Sequence, residues 1–386
     1  MDILEVLYLV LSIAVGLLLL VLLVVVHELG HAIVARRNGV VVEEFGIGFP
    51  PRAWSRTLKN GVLFSLNWLP LGGFVKLQGE NDDASQPGDY GAASYWVKTK
   101  ILLAGVVINW LTAAALLTVL AVVGMPKLLP DQFQMPGDTR EVVSPVELAT
   151  IGENSPAQKA GLRVKDQIVQ VGDEPVETVE DLQALSAENK GKTVPVIYDR
   201  EGRRQTTDVV FNSDDTNGYL GVGLVPSSVT LRSTWSAPIV GVVTAAQLTS
   251  ATVVSLGQTV AHFAAGIGAV LNPDASVRTA GTEQLNQLSS NVAGPIGILG
   301  VLFPSAVEAG IVPLLTVTAI ISLTLAVMNI LPIPALDGGR FFLMTVFRLL
   351  RKPLTKEREE KINTIGFVAL MLLVLLVTVS DVGKLF

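Results

Sequence analysis

The feature that most constrains this chain is a long uncharged run, Val6–Val26, that leads directly into the sequence HELGH at residues 27–31. About 20 apolar residues are enough for a helix to cross a membrane. On such a helix His27 and His31 project from one face, while Glu28 points about 100° to the side. Ionisable groups are costly at membrane depth and are seldom kept there without a use. The junction therefore predicts a pair of metal ligands at the end of a transmembrane helix.

The composition is that of a membrane protein. Of 386 residues, 50% are hydrophobic and 16% are charged, whereas charged residues make up about a quarter of a soluble domain. The net charge of −6 and the lack of a basic stripe argue against a nucleic-acid partner. Because the chain has no cysteine, disulfides, thiolate zinc sites and cysteine nucleophiles are excluded. The first residues lack the positive charge of a cleaved signal, so we expect a retained first span.

Four stretches are predicted to cross the membrane: Val6–Val26, Ile101–Val123, a segment within Ala309–Leu336, and about Ile365–Ser380. Lysine and arginine are concentrated after the first and the third of these spans, so the positive-inside rule makes both of those loops cytoplasmic. Both termini and residues 125–308 then lie outside the cytoplasm. The predicted fold class is a polytopic α-helical membrane protein with four transmembrane helices.

A fifth stretch, Ser233–Pro273, carries no charge apart from a possible one on His262, yet we expect an interfacial or surface-packed helix there. If it crossed, the third span would run the other way and end on the opposite face from HELGH, about 30 Å away. The predicted organisation is residues 1–124 with the first two spans, 125–232 as a soluble domain, 233–308 as interfacial helix and linker, and 309–386 with the last two spans.

Residues 125–232 contain short β-type runs separated by Gly, Pro, Asp and Asn, which indicates a soluble α/β domain. The segments Asn154–Ala157, Ala160–Leu162, Asp166–Ile168 and Gly172 resemble a PDZ domain of the bacterial protease-associated type. We expect one extracytoplasmic PDZ domain, with a core at about 140–226. Lys165 departs from that pattern, since the family usually has glycine before the aspartate.

Between the first two spans, Lys59-Asn60-Gly61 is an Asn-Gly turn flanked by β-type runs. The apolar sequence NWLPLGGFVKL at residues 67–77 is too short, and too broken by proline and glycine, to span a membrane. We predict a membrane-associated β-hairpin over about 53–77, whose free edge can pair with an unwound substrate. Gly72 and Gly73 are therefore candidate substrate-binding residues.

A catalytic zinc site normally has three protein ligands and one open position, and HELGH supplies two. The best third ligand is Asp337, at the inner end of the third span. Because the first and third spans run in the same direction, Asp337 and the two histidines end at the same depth, near the cytoplasmic face. Neutral imidazoles and one carboxylate also lower the charge of the site, which makes it less costly near low dielectric. Glu28 is the predicted general base, which takes a proton from the attacking water and passes it to the leaving amine.

The motifs together resemble the bacterial site-2 protease family, and most closely its regulator of sigma-E protease group. They are HELGH, AGVVIN at Ala104–Asn109, PLGGFVKL, the PDZ domain, AGPIGI at Ala293–Ile298 and NILPIPALDGG at residues 329–339. The resemblance covers nearly the whole chain. It implies a zinc intramembrane metalloprotease of the bacterial inner membrane, with Zn²⁺ as cofactor. Its implied substrates are single-span membrane proteins, such as type II-like proteins, anti-sigma factors or signal-peptide remnants.

The resemblance also implies that Asn329 helps to hold the substrate backbone near the metal, and Pro332 and Asn109 are further candidate substrate contacts. Asn329 could instead satisfy backbone groups freed by the nearby prolines, and Asn109 could be an interhelical hydrogen-bonding residue only. The PDZ domain would gate access by size or bind a free C-terminus. Two departures from the family are Val106, where proline is frequent, and the single PDZ domain, where many relatives have two.

A second class of function is a non-enzymatic membrane adaptor that binds extracytoplasmic C-termini through the PDZ domain. It predicts no stoichiometric zinc, and a function that survives a change at His31. Under either hypothesis the partners are membrane proteins and the lipid bilayer.

Overall fold

The computed structural model describes residues 3–80, 84–143, 145–214, 218–225, 229–272, 274–291 and 294–385. Pro226, Pro273 and Ala293, which belong to segments predicted above, lie outside the described residues. The chain forms two compact units, Met1–Leu120 with Ala237–Phe386 and Ala121–Ser236. We call the first the helical unit and the second the inserted unit.

The helices, in chain order, are α1 (Ile3–Arg37), α2 (Tyr95–Val123), α3 (Pro156–Lys159), α4 (Val179–Glu188), α5 (Ala237–Val270), α6 (Ala275–Asn291), α7 (Pro295–Gly297), α8 (Phe303–Ala309), α9 (Ile311–Ile330), α10 (Asp337–Leu349) and α11 (Lys356–Leu385). The strands are β1 (Val42–Thr57), β2 (Leu63–Leu77), β3 (Met125–Pro126), β4 (Arg140–Val143), β5 (Val146–Ile151), β6 (Gln167–Val171), β7 (Glu174–Pro175), β8 (Thr193–Arg200), β9 (Arg203–Val210), β10 (Val222–Val225) and β11 (Val229–Arg232).

Five of the described helices are long and apolar enough to cross a membrane: α1, α2, α5, α9 and α11. Four of them contain the predicted spans, and the fifth, α5, contains most of the stretch predicted to be interfacial or surface-packed. Apolar residues surround α1 and the part of α11 after Thr364 rather than forming one stripe, as expected for helices with lipid on most sides. Length and composition thus make the chain an integral membrane protein, while the number of crossings stays a prediction.

Helix α5 runs antiparallel to α2 and is followed by a helix that returns along it. Gly241 packs against Thr118, and the indole Nε1–H of Trp110 donates to Thr249 Oγ1 at 3.0 Å. Helix α6 then turns back, so that Gly281 packs against the last turns of α5. The sequence analysis assumed that a crossing by α5 would reverse the direction of α9. It did not include a returning helix, because α6 is too polar to be recognised as a membrane helix. With α6 running back along α5, a crossing by α5 no longer requires α9 to be reversed.

The sheet of the helical unit is more extensive than the predicted hairpin. Residues 44–47 of β1 pair with both halves of β2, at 63–66 and at 73–76. The outer part of β1, up to Thr57, pairs only with the first half of β2. The result is an antiparallel sheet of four segments, with residues 73–77 at one edge. The predicted Asn-Gly turn is confirmed between the two strands, where Val62 N–H donates to Asn60 Oδ1 at 3.2 Å.

The inserted unit is built on a six-stranded sheet with the order β10-β5-β6-β8-β9, in which β7 also pairs with β6. Its helices begin at caps visible in the sequence. Ser155 caps α3, where Pro156 takes the first helical position, and Thr178 with Asp181 forms a capping box at α4. Lys165 has a φ of 73°, which explains why glycine suits this position better than a residue with a side chain.

Candidate metal centre

Three side-chain atoms from two distant parts of the chain meet at the C-terminal end of α1. His27 Nε2 and His31 Nε2 are 3.2 Å apart. Each of them lies 3.2 Å from Asp337 Oδ2. The structure thus brings together the three residues that the sequence analysis selected as ligands, in an equilateral triangle of N, N and O atoms.

This triangle fits a tetrahedral zinc site. Zinc bonds to nitrogen and oxygen are about 2.0–2.1 Å long, and tetrahedral angles then place two ligand atoms about 3.3 Å apart. The buried Asp337 Oδ2 has no well-aligned hydrogen bond among the described residues, although it faces both imidazole nitrogens at 3.2 Å. A cation shared by all three atoms accounts for this orphaned acceptor.

Each imidazole must carry its proton on Nδ1 if its Nε2 is to bind a cation. For His31 this arrangement is fixed by the backbone of α2, because Nδ1 lies 2.7 Å from the carbonyl oxygen of Ile101. A carbonyl can only accept, so Nδ1 is the donor. Helix α2 therefore determines both the tautomer and the ring orientation of His31.

Asn109, about two turns after Ile101 on α2, has the corresponding place beside His27. Its side-chain Nδ2 is assigned 3.2 Å from His27 Nδ1, while its Oδ1 is buried without a partner among the described residues. The oxygen and nitrogen of an amide are assigned from their neighbours. Exchanging them lets Oδ1 accept from His27 Nδ1–H, which gives His27 the tautomer that a metal ligand needs.

Two glycines allow α1 and α2 to approach closely at this centre. A Cβ added at Gly105 would lie 2.5 Å from His27 Cε1 and closer still to His31 Nε2. A Cβ at Gly30 would lie 2.8 Å from the carbonyl oxygen of Ala104. Small residues at both positions therefore let the two imidazoles stack against the backbone of α2.

Asp337 is positioned by the tight packing of α10 against the end of α9. It is the first residue of α10, after the short connection that follows Ile330. A Cβ at Gly338 would overlap the carbonyl of Ile330, and a Cβ at Gly339 would overlap that of Ile333. The glycine pair of the LDGG sequence is thus required for α10 to begin where its aspartate reaches the histidines.

Arg340, one turn after Asp337, ties α10 to two neighbouring elements. Its Nε donates to Glu359 on α11 at 2.8 Å, and its Nη1 donates to Glu80 after β2 at 2.9 Å. The guanidinium also lies 4.9 Å from the centre of the Tyr90 ring. Three elements around the metal centre are therefore joined through one half-buried cation.

Glu28 borders the same cavity as His31 and Asp337, which has a volume of about 490 Å³. Residues 73–75 of β2 line the cavity from the side of the sheet. A Cβ added at Gly73 would lie 3.3 Å from Glu28 Cγ, so the edge of the sheet passes directly over the glutamate. The arrangement places an acid/base group, three ligand atoms and a sheet edge around one open space.

Comparison with known proteins identifies the family of this chain. The model of peptidase family M50 matches residues 15–373, a range that includes HELGH and Asp337. The chain belongs to peptidase family M50. It is a zinc metalloprotease and an integral membrane protein, and the resemblance drawn from its motifs is confirmed.

Individual relatives match over almost their full length. A Clostridium acetobutylicum protein that carries a zinc metalloprotease name is 30% identical over 372 residues, covering 96% of this chain and 97% of the relative. The regulator of sigma-W protease RasP of Bacillus subtilis is 24% identical over 447 residues, covering 94% and 96%. Among solved structures, a PDZ domain of an SdrC-like protein from Listeria monocytogenes is 20% identical, with a TM-score of 0.20, covering 21% of this chain and 88% of that chain.

The predicted substrate contacts of this M50 chain lie in three places: the edge of the sheet, the end of α9 and the middle of α2. Gly73 lines the cavity, and Gly72 has a φ of 79°, which glycine adopts without strain. Asn329 is half-buried in the last turn of α9, and Pro332 is exposed in the connection to α10. Asn109 is fully buried and faces His27 on α1, which favours the second of its two predicted roles, a hydrogen-bonding residue between helices. The His27 side chain lies next to the Asn109 amide, so the structure does not support a direct contact between Asn109 and a substrate.

Sequence reasoning did not foresee the groups that orient the ligands. The carbonyl of Ile101 gives no signal in a sequence, since every residue has one. Arg340 could have been found, because it lies three residues after Asp337 and therefore on the same helix face. Gly294, of the AGPIGI sequence, is buried with its N–H donating to Asp381 of α11 at 3.1 Å, which fixes the start of α7 rather than showing a substrate contact.

Proposed function

We propose that this protein cleaves peptide bonds of membrane-spanning substrates, within or at the edge of the membrane. In this proposal His27, His31 and Asp337 hold zinc, and Glu28 is the acid/base. The observation that carries it is the 3.2 Å triangle of ligand atoms, which borders the same cavity as Glu28. A zinc site of this kind at the end of a long apolar helix is suited to substrates that lie in the bilayer.

The residues of the chain divide the chemistry between them. Bound zinc supplies Lewis-acid activation of a water molecule and of the scissile carbonyl. Glu28 takes the proton of that water and delivers it to the departing amine. Ile101 and Asn109 keep the two imidazoles in the required tautomer. Asn329, which has no side-chain hydrogen bond to another described residue, keeps its amide available for a substrate carbonyl.

A transmembrane substrate must unwind before its backbone can reach the zinc, since a helix buries every peptide group in its own hydrogen bonds. The edge of the sheet at residues 73–77 offers the unwound segment a strand to pair with. Because this edge passes over Glu28, pairing would place a peptide bond beside the acid/base. Gly73 leaves room for that approach, because a Cβ there would lie 3.3 Å from Glu28 Cγ.

The test is a Glu28→Gln variant, assayed with a single-span substrate in detergent or vesicles. We expect cleavage to fall at least about a hundredfold, the usual scale of general acid–base catalysis, while zinc content stays at one per chain. Glu43→Gln, which changes an exposed glutamate paired with Lys76, is the matched control and should cleave normally. Full activity of Glu28→Gln would refute the assignment.

We further propose that the metal centre lies near the cytoplasmic face and that the inserted unit is outside the cytoplasm. The support is the concentration of Lys and Arg in the two loops next to the centre. Because the chain has no native cysteine, single cysteines can be introduced and labelled with an impermeant reagent. A cysteine at Lys59 should be protected in intact cells and one at Asp173 should be labelled; the reverse pattern would invert the topology.

The inserted unit is proposed to be a PDZ domain that binds peptides with a free C-terminus. A groove of about 400 Å³ lies between α4 and β10, and β10 is at the edge of its sheet. An added peptide strand could pair with β10 while its last side chain contacts Leu182 and Leu220. Val222→Lys should weaken binding of an apolar C-terminal peptide, whereas equal binding by the amidated peptide would argue against recognition of a carboxylate.

The substrates we favour are anti-sigma factors, in line with the name of the sigma-W relative.

A further inference from the structure

A second cavity of the helical unit lies where the first turn of α2 meets the C-terminal end of α10. It has a volume of about 280 Å³ and shares no lining residue with the cavity at the metal centre. Three basic residues line it, and the lining includes no carboxylate: Lys98, Arg348 and Lys352. The rest of the lining is largely aromatic and aliphatic. The cavity is therefore a positively charged pocket with apolar walls.

Two of the three basic groups lie beside aromatic rings. The Arg348 guanidinium lies 4.6 Å from the centre of the Tyr95 ring. That ring is itself fixed, because its hydroxyl is 3.0 Å from Thr345 Oγ1 on α10. Lys98 is buried and its ammonium lies 5.6 Å from the centre of the Tyr90 ring. A guanidinium stacked on a ring keeps its edge N–H groups available for an anion.

Two exposed apolar residues are chain neighbours of the lining residues Tyr95 and Arg348. Trp96 is 70% exposed, and Leu349 is 77% exposed. Large apolar side chains beside basic ones are typical of helices that lie at the interface between headgroups and acyl chains. By the charge rule this is the cytoplasmic face, where anionic lipids attract basic residues.

We propose that this pocket binds the headgroup of an anionic phospholipid. Its phosphodiester would lie between Arg348 and Lys352, and its acyl chains would cover the exposed Trp96 and Leu349. The ligand would connect α2, which orients both histidines, to α10, which carries Asp337. It would therefore stabilise the two elements that define the metal centre, although it touches none of the proposed catalytic residues.

The experiment uses the full-length protein, purified in a neutral detergent and titrated with phosphatidylglycerol, phosphatidylcholine or inorganic phosphate. Bound lipid is counted by native mass spectrometry, and thermal unfolding is followed in parallel. Phosphatidylglycerol should bind and raise the Tm, whereas phosphatidylcholine should not. Basic residues near a membrane contribute about 1 kcal/mol each, so Arg348→Ala/Lys352→Ala should bind phosphatidylglycerol about 30-fold more weakly.

Two further variants keep the result interpretable. Arg358→Ala/Lys361→Ala removes the same charges from exposed positions on α11 and should bind normally; an equal loss there would show general surface attraction and overturn the proposal. Lys352→Glu changes an exposed side chain and should fold normally but lose the lipid. Saturation by inorganic phosphate with the same effect would overturn the lipid assignment, and so would unchanged binding in Lys352→Glu. None of these outcomes depends on proteolysis, which is tested separately at Glu28.

Discussion

The side-chain amide of Asn109 should control how tightly the protein holds zinc. It is fully buried and lies 3.2 Å from His27 Nδ1. If it is removed, the Nδ1–H of His27 has no acceptor, and the ring is no longer held with Nε2 towards the metal. Loss of such an outer partner typically weakens metal binding 10- to 100-fold, which is about 1.4–2.7 kcal/mol.

Three substitutions separate the hydrogen bond from the space that the side chain fills. Asn109→Ala removes both, and Asn109→Leu keeps the volume without an acceptor. Both should show the full 10- to 100-fold loss of zinc affinity. Asn109→Asp keeps an acceptor in a carboxylate–histidine–metal arrangement and should hold zinc at least as tightly as the wild type. Cleavage should follow the same order at limiting zinc and recover in the first two variants when zinc is in excess.

Ser322→Ala is the matched control, because Ser322 donates to the backbone carbonyl of the same Asn109 at 2.8 Å. Losing that buried interhelical bond should cost about 1 kcal/mol of stability and leave zinc affinity unchanged. Affinity is measured by competition with a chelator at pH 7. If Asn109→Leu holds zinc as tightly as the wild type, or if Ser322→Ala loses as much, then Asn109 is only a packing residue.

Three more predictions follow from the geometry. Gly105→Ala should abolish stoichiometric zinc binding, because the new Cβ would lie 2.5 Å from His27 Cε1. The control is Gly257→Ala on α5, where a new Cβ meets open space. Normal zinc content in Gly105→Ala would contradict the close approach of α1 and α2. Lys165→Gly should raise the stability of the inserted unit by up to about 1 kcal/mol, since the φ of Lys165 is 73°. Lys192→Gly is the control and should destabilise the unit. An unchanged thermal transition in Lys165→Gly would contradict the prediction. Hydrogen bonds from Ser236 and Thr234 lower the pKa of Asp138 from 3.8 to about 2. Its ionised form therefore stabilises the folded chain above pH 3.8, an effect that is lost as pH falls towards 2. The stability difference between wild type and Asp138→Asn should shrink over that range, and a constant difference would refute it.

The metal ligands could be predicted from the spacing of residues on a helix and from the direction of the apolar spans. Helical spacing puts His27 and His31 on one face, and the direction of the apolar spans puts Asp337 at the same depth. The groups that orient these ligands could not be predicted, because they depend on which turn of α2 packs against α1. Gly105 is the residue that permits this contact, and its role becomes clear only when the neighbouring imidazoles are in place.

The sheet was predicted too short for a definite physical reason. Its first strand begins at Val42, well before the predicted start at about residue 53. Residues 42–57 include two glycines and two adjacent prolines, which normally argue against a strand interior. The chain uses them to bend, so that one long strand contributes two segments to the same sheet.

The ligand triangle also limits the number of membrane crossings. Since His27 and Asp337 meet, the C-terminal ends of α1 and α9 lie at the same depth. Helix α2 leaves that depth towards the other face, and α9 returns from the other face to it. If α2 and α9 both cross the membrane, the segment between them contributes an even number of crossings. Helix α5 alone would violate this condition, but α5 followed by its antiparallel partner α6 satisfies it. We therefore predict either a surface-packed pair or a helical hairpin that enters and leaves the membrane, and not a single crossing by α5.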